Sequence, residues 1–274
     1  MRIVHFSDIH FGRPTKSWKA YFDKRLLGIL NYFVKRRQRL NEQYIDRAVK
    51  VIPELEPDVI ICTGDVSCVG SPEEFQVARQ KLAPLVENRD IDFIYIPGNH
   101  DAYVKSRPCK EELEKTFSYL NQHQRPLRDL PLVVNTPAAE LFLINEVQPV
   151  PLWSSSGTIA QKDIELFQQW VKKESDKKRV LTGHYPLLKS DHQPLPWRRR
   201  LHNSANILAA LKEGQLDVSL CGHIHTPFAR QENSGTMEIC AGSLSVNGFI
   251  NILDITPGQT SIRQQWYNMP NIVK

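Results

Sequence analysis

Ile91-Asp92-Phe93-Ile94-Tyr95-Ile96-Pro97-Gly98-Asn99-His100-Asp101 is the stretch on which the reading of this 274-residue chain turns. Its first six residues are mostly apolar, β-branched or aromatic, the composition of a buried strand, and the run stops at a Pro-Gly turn. Polar, chemistry-bearing side chains follow at once. The same grammar recurs along the chain. Ile3-Val4-His5-Phe6 leads into Asp8-x-His10, Val59-Ile60-Ile61-Cys62 into Gly64-Asp65, Arg179-Val180-Leu181 into Gly183-His184, and Val218-Ser219-Leu220-Cys221 into Gly222-His223-x-His225. A Gly-Asp or Gly-His pair alone means little, but an ordered set, each placed at a strand end, is specific. In open α/β sheets ligands bind outside the carboxyl ends of the strands, so these loops are expected to converge on one cleft. The glycines before Asp65, Asn99, His184 and His223 suit tight turns with positive φ. Asp8 and His10, two apart on extended backbone, are expected to point to the same side, and His223 and His225 repeat the spacing.

Carboxylate, imidazole and amide groups in this combination are metal ligands. They suit Mn, Fe and Zn, and no cysteine lies among them to favour a thiolate site. Buried Asp and His without partners at strand ends would be costly, which weighs against a merely structural role. His5, His123, His192 and His202, outside the motifs, are read as structural. Two divalent ions roughly 3.5–4 Å apart can hold a bridging hydroxide and clamp the oxygens of an in-line displacement at phosphorus. With two carboxylates, Asp8 and Asp65, against the metal charge, such a site stays cationic and attracts a phosphate anion. Hydrolysis of a phosphate ester is the leading expectation, with no Ser or Cys nucleophile.

Through these motifs, from Asp8 to His225, the chain resembles the calcineurin-like metallophosphoesterases. The resemblance implies an α/β protein in which a two-sheet mixed β sandwich is flanked by α-helices, with the metals at one edge. It implies that Asp8, His10, Asp65 and His225 hold one metal, and that Asn99, His184, His223 and the shared Asp65 hold the other, manganese being the favoured ion. His100 would face the leaving-group oxygen and Asp101 would orient it. Every ligand position of the pattern is filled, which speaks against a non-catalytic scaffold of the same fold.

Length and composition fit one domain over residues 1–274, because the motifs run across too much of the chain for a clean division. No apolar stretch is long enough to span a bilayer, and the first strand already carries Asp8, leaving no segment to remove as a signal peptide. Five cysteines without a C-x-x-C pair agree with a reducing compartment, so a cytoplasmic protein is expected. Between the motifs, Tyr44 to Leu55 has helical spacing, and Ser71-Pro72-Glu73-Glu74 reads as an N-cap, a first-turn proline and a capping box, with Pro84 expected to kink or shorten the helix. Ile164 to Val171 and Asn203 to Lys212 read as further helices. Thr236–Ala241, Gly248–Leu253 and Thr260–Trp266 read as consecutive strands.

Residues 16–40 interrupt this pattern as a basic, apolar, helical insertion. Eight basic residues, among them Arg25, Arg36 and Arg37, stand against the single acid Asp23, a net +7 in a chain of net +5, so the remainder is net acidic. Trp18, Tyr21, Phe22, Leu26, Leu27, Ile29, Leu30, Tyr32 and Phe33 lie between the charges. Such a segment can lie on an anionic membrane or cradle a lipid-bearing phosphate. It can grip a nucleic-acid backbone, the weaker expectation, or pack on the core with its cations solvated. A second basic run, Trp197-Arg198-Arg199-Arg200, leaves the His184 turn, so these arginines are candidate phosphate contacts. Phe22 to Asn31 followed by Arg36-Arg37 resembles the bacterial enzymes that cleave the pyrophosphate of UDP-2,3-diacylglucosamine in lipid A synthesis, the type reported from chlamydia-like bacteria. That resemblance implies a lipid-linked nucleotide substrate and peripheral association with the inner face of the membrane. Gly64 to Gly70 with Glu73-Glu74-Phe75 resembles instead the cyclic-nucleotide type of soluble phosphodiesterase, the alternative expectation. A nuclease is a third.

Overall fold

The computed structural model describes residues 1–13, 15, 17–31, 34, 38–256 and 262–269. Along these the elements run β1 (Arg2–Phe6), α1 (Arg25–Asn31), α2 (Glu42–Glu54), β2 (Val59–Cys62), α3 (Pro72–Val86), β3 (Asp92–Tyr95), α4 (Arg107–Leu120), β4 (Leu132–Asn135), β5 (Ala139–Leu143), β6 (Gly157–Thr158), α5 (Gln161–Val171), β7 (Lys178–Thr182), β8 (Leu201–His202), α6 (Ala205–Lys212), β9 (Val218–Cys221), β10 (Phe228–Gln231), β11 (Met237–Cys240), α7 (Leu244–Asn247), β12 (Phe249–Ile255) and β13 (Ile262–Asn268).

The strands make two mixed sheets. One has the order β13-β12-β1-β2-β3 and the other β10-β11-β9-β7-β5-β4, with β6 and β8 forming a separate two-stranded ribbon. In the first sheet β1, β2 and β3 are parallel, with Phe6 opposite Cys62 and Cys62 opposite Tyr95, so their carboxyl ends finish level. In the second, β7 and β9 are parallel, with Thr182 opposite Leu220. The apolar runs read from the sequence are therefore central strands, buried on both faces as parallel strands must be. Ile3, Ile60 and Ile94 of one sheet share a core with Leu141, Val180 and Leu220 of the other, which makes the pair a sandwich. Phe142 and Leu181 face away from it and bury Ile164, Phe167 and Trp170 of α5 and Ile207 of α6.

Helix α2 buries Tyr44, Ile45, Ala48 and Ile52, and its Asn41 cap accepts from Gln43 N. The capping box at the start of α3 forms as read: Ser71 Oγ accepts from Glu74 N while Glu74 accepts from Ser71 N. The expected shortening at Pro84 does not occur. The helix continues to Val86, because the hydrogen bond a proline removes is outweighed by burial of Leu85 and Val86 in the last turn. Helix α4, with Cys109, Leu113, Phe117 and Leu120 buried at helical spacing, was not singled out from the sequence although its periodicity is plain. Residues 16–40 form no single helix among the described residues: a 3-10 turn at Trp18–Phe22 precedes the seven-residue α1.

Candidate metal centre

Strands β1, β2, β3, β7 and β9 deliver their motifs to one edge of the sandwich. There the side-chain donors fall into two groups. In the first, Asp8 Oδ1 lies 3.1 Å from His225 Nε2 and 3.5 Å from His10 Nε2, and the two Nε2 atoms are 2.9 Å apart. In the second, Asn99 Oδ1 lies 2.8 Å from His223 Nδ1 and 3.3 Å from His184 Nε2. Asp65 Oδ2 belongs to both, 3.8 Å from His10 Nε2 and 3.5 Å from His184 Nε2. Ligands of one small cation stand roughly 3 Å from one another when each is about 2.0–2.2 Å from it. The structure thus brings together Asp8, His10 and His225 on one side and Asn99, His184 and His223 on the other, with Asp65 between them.

Three of the four imidazoles are aimed by the other nitrogen. His10 Nδ1 donates to Ser67 O (3.1 Å), His184 Nδ1 to Thr63 O (2.6 Å) and His223 Nε2 to Arg199 O (3.0 Å). These tethers fix the tautomers so that an unprotonated nitrogen faces the neighbouring ligands, as metal binding requires.

The backbone reaches this arrangement differently from expectation. Asp8, His10, Asp65, His223 and His225 all have φ between 54° and 71°, the left-handed region, so the two His-containing pairs converge from coiled backbone and not from extended strand. Such conformations persist only where the surroundings fix them. Asp8 N donates to Gly64 O, His10 N to Asp65 O, Ser243 Oγ to Asp8 O, and His223 N to Asp8 Oδ2. Of the four motif glycines only Gly64 has positive φ, at 101°. Gly98 and Gly222 serve close approach instead: a Cβ at Gly98 would stand 2.2 Å from Asp65 Oδ1, and one at Gly222 would stand 2.0 Å from Ser7 Oγ and 2.3 Å from Asp8 Oδ2.

The donor set fits two divalent metals. Asp8 Oδ1 is fully buried without a hydrogen-bond partner, a costly state for a carboxylate oxygen unless a cation meets it. Burial opposes the charge on Asp8, yet the adjacent His10 and His225 hold it well below the usual carboxylate range. Asp65 is likewise lowered, burial being overcome by His184 and His100. Burial and neighbouring His184 push His223 down to about 3, which keeps it a neutral donor. Burial disfavours charge on His184 as well, but Asp65 and Asp8 pull its value up to about 10, a measure of how strongly these carboxylates call for positive charge.

His100 stands at the same edge, with a ring nitrogen within 4.8 Å of donor atoms of His10 and Asp65. Its Nδ1 donates to Cys68 O at 2.5 Å. Asp101 does not orient it. Both Asp101 oxygens are engaged elsewhere, accepting from Ser67 N, Ser67 Oγ, Val66 N, Gly98 N and Tyr95 OH, so this buried carboxylate ties the Asp65 loop to the Asn99 loop. A cleft of about 570 Å³ opens over the centre, lined by Asp65, Asn99, His100, His223 and His225 together with Arg39, Leu40, Ser155, Arg199, Thr226 and Asn247. Of the candidate phosphate contacts, Arg199 reaches this cleft and Arg198 and Arg200 do not line it; their carbonyls pair with Ser155 N and Gly157 N. Arg25 is excluded by burial: its guanidinium pairs with Asp23 and contacts Cys109 Sγ. Arg36 and Arg37 lie outside the described residues.

Arg39 was not chosen from the sequence for this cleft, and neither was Glu146. Glu146 is buried and accepts from His184 N (2.6 Å) and Tyr185 N (2.8 Å), fixing the turn that carries His184. Its signal was an acid at the end of the apolar run Leu141 to Ile144.

Residues 1–227 match the family described as calcineurin-like phosphoesterase. Over 178 residues the chain is 28% identical to a probable glycerophosphodiester phosphodiesterase, GpdQ, from Arcobacter nitrofigilis, covering 62% of this chain and 57% of that protein. It is 24% identical over 246 residues to the glycerophosphodiester phosphodiesterase GpdQ of Enterobacter lignolyticus, covering 86% and 75%. The fold is similar to that of a dimetal phosphatase from Danio rerio (TM-score 0.67, 12% identity, 93% and 92% covered) and of a purple acid phosphatase from yellow lupin (TM-score 0.59, 10% identity, 97% and 51% covered). With the family pattern spanning most of its length, the chain belongs to the calcineurin-like phosphoesterase family.

Proposed function

We propose that this protein hydrolyses phosphodiesters with two divalent metal ions. The observation that carries the reading is the position of Asp65 Oδ2 between two donor groups, one of Asp8, His10 and His225 and one of Asn99, His184 and His223. When bound, such ions activate water and stabilise charge on the phosphoryl oxygens. The chain's own residues do the rest. Four donors for each ion are supplied without His100, so His100 is assigned to the leaving group. With Nδ1 donating to Cys68 O, Nε2 holds a transferable proton in the imidazolium form; that proton passes to the departing oxygen as the P–O bond breaks, leaving the neutral ring with its proton on Nδ1. Arg199 and Arg39 line the cleft, where Asp65 is the one carboxylate among the described lining residues, so the cleft favours an anion. The GpdQ relatives, named as glycerophosphodiester phosphodiesterases, favour a phosphodiester over a monoester.

A second reading concerns what the diester carries. Trp18 and Phe22 are 68% and 81% exposed, and Leu27, Leu30 and Val34 are exposed beside them in sequence. Lys24 donates to Val150 O and Ser154 O, next to exposed Leu152 and Trp153, and Ser155 N pairs with Arg198 O, beside exposed Trp197. This apolar rim adjoins a cleft lined by Ser155 and Arg199. It supports a lipid-bearing diester or pyrophosphate such as UDP-2,3-diacylglucosamine, met at a membrane surface.

Hydrolysis by the manganese-loaded protein of bis(4-nitrophenyl) phosphate, a glycerophosphodiester, cyclic AMP and UDP-2,3-diacylglucosamine in mixed micelles tests both. Loss of all turnover on chelation is expected. No turnover of any diester would overturn the first reading, and turnover of the water-soluble esters alone would overturn the second.

A further inference from the structure

The helix α1 sits behind His100, and we propose that its Lys24 flank and Tyr103 are positioning residues that hold the His100 ring in line with the leaving group; this rests on the phosphodiesterase reading above. The rings of Tyr103 and His100 are stacked, with centroids 5.3 Å apart and planes within 10°. The His10 ring meets His100 in a T-shaped contact at 5.0 Å, so the imidazole touches two rings. Lys24 Nζ lies 4.5 Å over the Tyr103 ring and is fixed there by the carbonyls of Val150 and Ser154.

The second tether of His100 is backed by the same helix. A Cβ at Gly28 would stand 2.4 Å from Val69 Cγ1 and 3.1 Å from the Tyr103 hydroxyl, so α1 lies directly on both. Val69 follows Cys68, whose carbonyl accepts the hydrogen bond from His100 Nδ1. The helix is itself anchored by buried Arg25, paired with Asp23 and touching Cys109 of α4. The plane of the ring (through Tyr103) and its rotation in that plane (through Cys68) therefore both depend on α1. A group that delivers a proton as the P–O bond breaks is sensitive to such placement, since a displacement of about 1 Å can cost on the order of 10²-fold in rate.

The test measures kcat and KM on aryl phosphodiesters whose leaving groups range from 4-nitrophenol to phenol, with metal content per chain determined for each protein. Replacing the stacked ring (Tyr103→Leu) or the cation above it (Lys24→Met) is expected to lower kcat increasingly as the leaving group becomes more basic, reaching about tenfold for phenol. KM and metal content stay within twofold. Tyr103→Phe keeps the ring and retains the wild-type profile. In a His100→Ala background Tyr103→Leu adds nothing further, because both changes act through one group. Equal losses for all leaving groups, a Phe variant as impaired as the Leu variant, or additive losses in the double variant would overturn the proposal. A His100→Ala protein without leaving-group dependence would instead remove the role assigned to His100.

Discussion

His10 and His225, 215 residues apart in the chain, bring their Nε2 atoms to 2.9 Å from each other. With His10 Nδ1 donating to Ser67 O, His10 Nε2 is left as an acceptor facing His225 Nε2, and Asp8 Oδ1 completes the triangle without a hydrogen bond. The proposed shared cation would meet all three. Replacing His225 with alanine is expected to lower bound metal from two ions per chain to one, measured by elemental analysis after gel filtration. Activity should fall by more than the roughly 10–100-fold that loss of an outer-shell partner costs. His100→Ala, in contrast, should keep both ions and lose turnover. Retention of two ions by the His225 variant would show that the first donor group is not a metal site.

A methyl group at position 98 is the smallest change that should disable the centre. The added Cβ of Gly98→Ala would stand 2.2 Å from Asp65 Oδ1 and 2.5 Å from Asp65 N. Neither can move freely, because Asp65 Oδ1 accepts from His100 N at 2.7 Å and the carboxylate is shared by both donor groups. The variant is expected to lose metal from both sites together. Gly235, where a Cβ meets nothing within 4 Å, provides the control, since Gly235→Ala should cost only the strain of its positive φ, about 1–2 kcal/mol, and leave metal content unchanged.

What the sequence could and could not reveal divides along a physical line. The strand ends carrying Asp8, Asp65, Asn99, His184 and His223 were legible because a parallel strand must be apolar throughout and a polar break at its carboxyl end is conspicuous. The left-handed backbone at five of the candidate ligand residues was hidden, since it is imposed by contacts as distant as Ser243 to Asp8 and has no local signature. Asp101 follows His100 directly, and adjacency suggested that it orients the ring. Successive side chains leave a turn in different directions, however, and its carboxylate went to Tyr95 and the Asp65 loop. Arg25 looked like a free cation only while its partner Asp23, two residues away, was read as an isolated acid.

That reassignment of Asp101 has a measurable consequence. Its carboxylate accepts from five donors, among them the buried Gly98 N and Tyr95 OH. Asp101→Asn turns an NH2 toward some of them and leaves each such donor unsatisfied, at about 1–3 kcal/mol apiece. Chemical denaturation should therefore show a clear loss of stability. Activity should fall equally for good and poor leaving groups, because loop geometry and not proton delivery is damaged. A stable variant with a loss confined to poor leaving groups would restore the role of orienting His100.

Glu74 ties stability to pH. Its carboxylate is buried and accepts from Val69 N at 3.0 Å and Ser71 N at 3.1 Å. Burial nevertheless prevails over these donors and raises its value from 4.5 to about 7. Below about pH 4.5 both folded and unfolded chains hold this proton, and the group has no influence on the pH dependence. Between that value and about 7 the unfolded chain releases the proton while the folded chain keeps it, so stability falls as pH rises through the window. Glu74→Gln fixes the neutral state and leaves an acceptor oxygen for Val69 and Ser71. The variant is expected to gain stability relative to wild type as pH is raised from 5 to 8, by up to roughly 3 kcal/mol. Comparing urea midpoints of the two proteins at several pH values checks this, and a constant difference across that range would mean that the Glu74 carboxylate is already ionised in the folded chain.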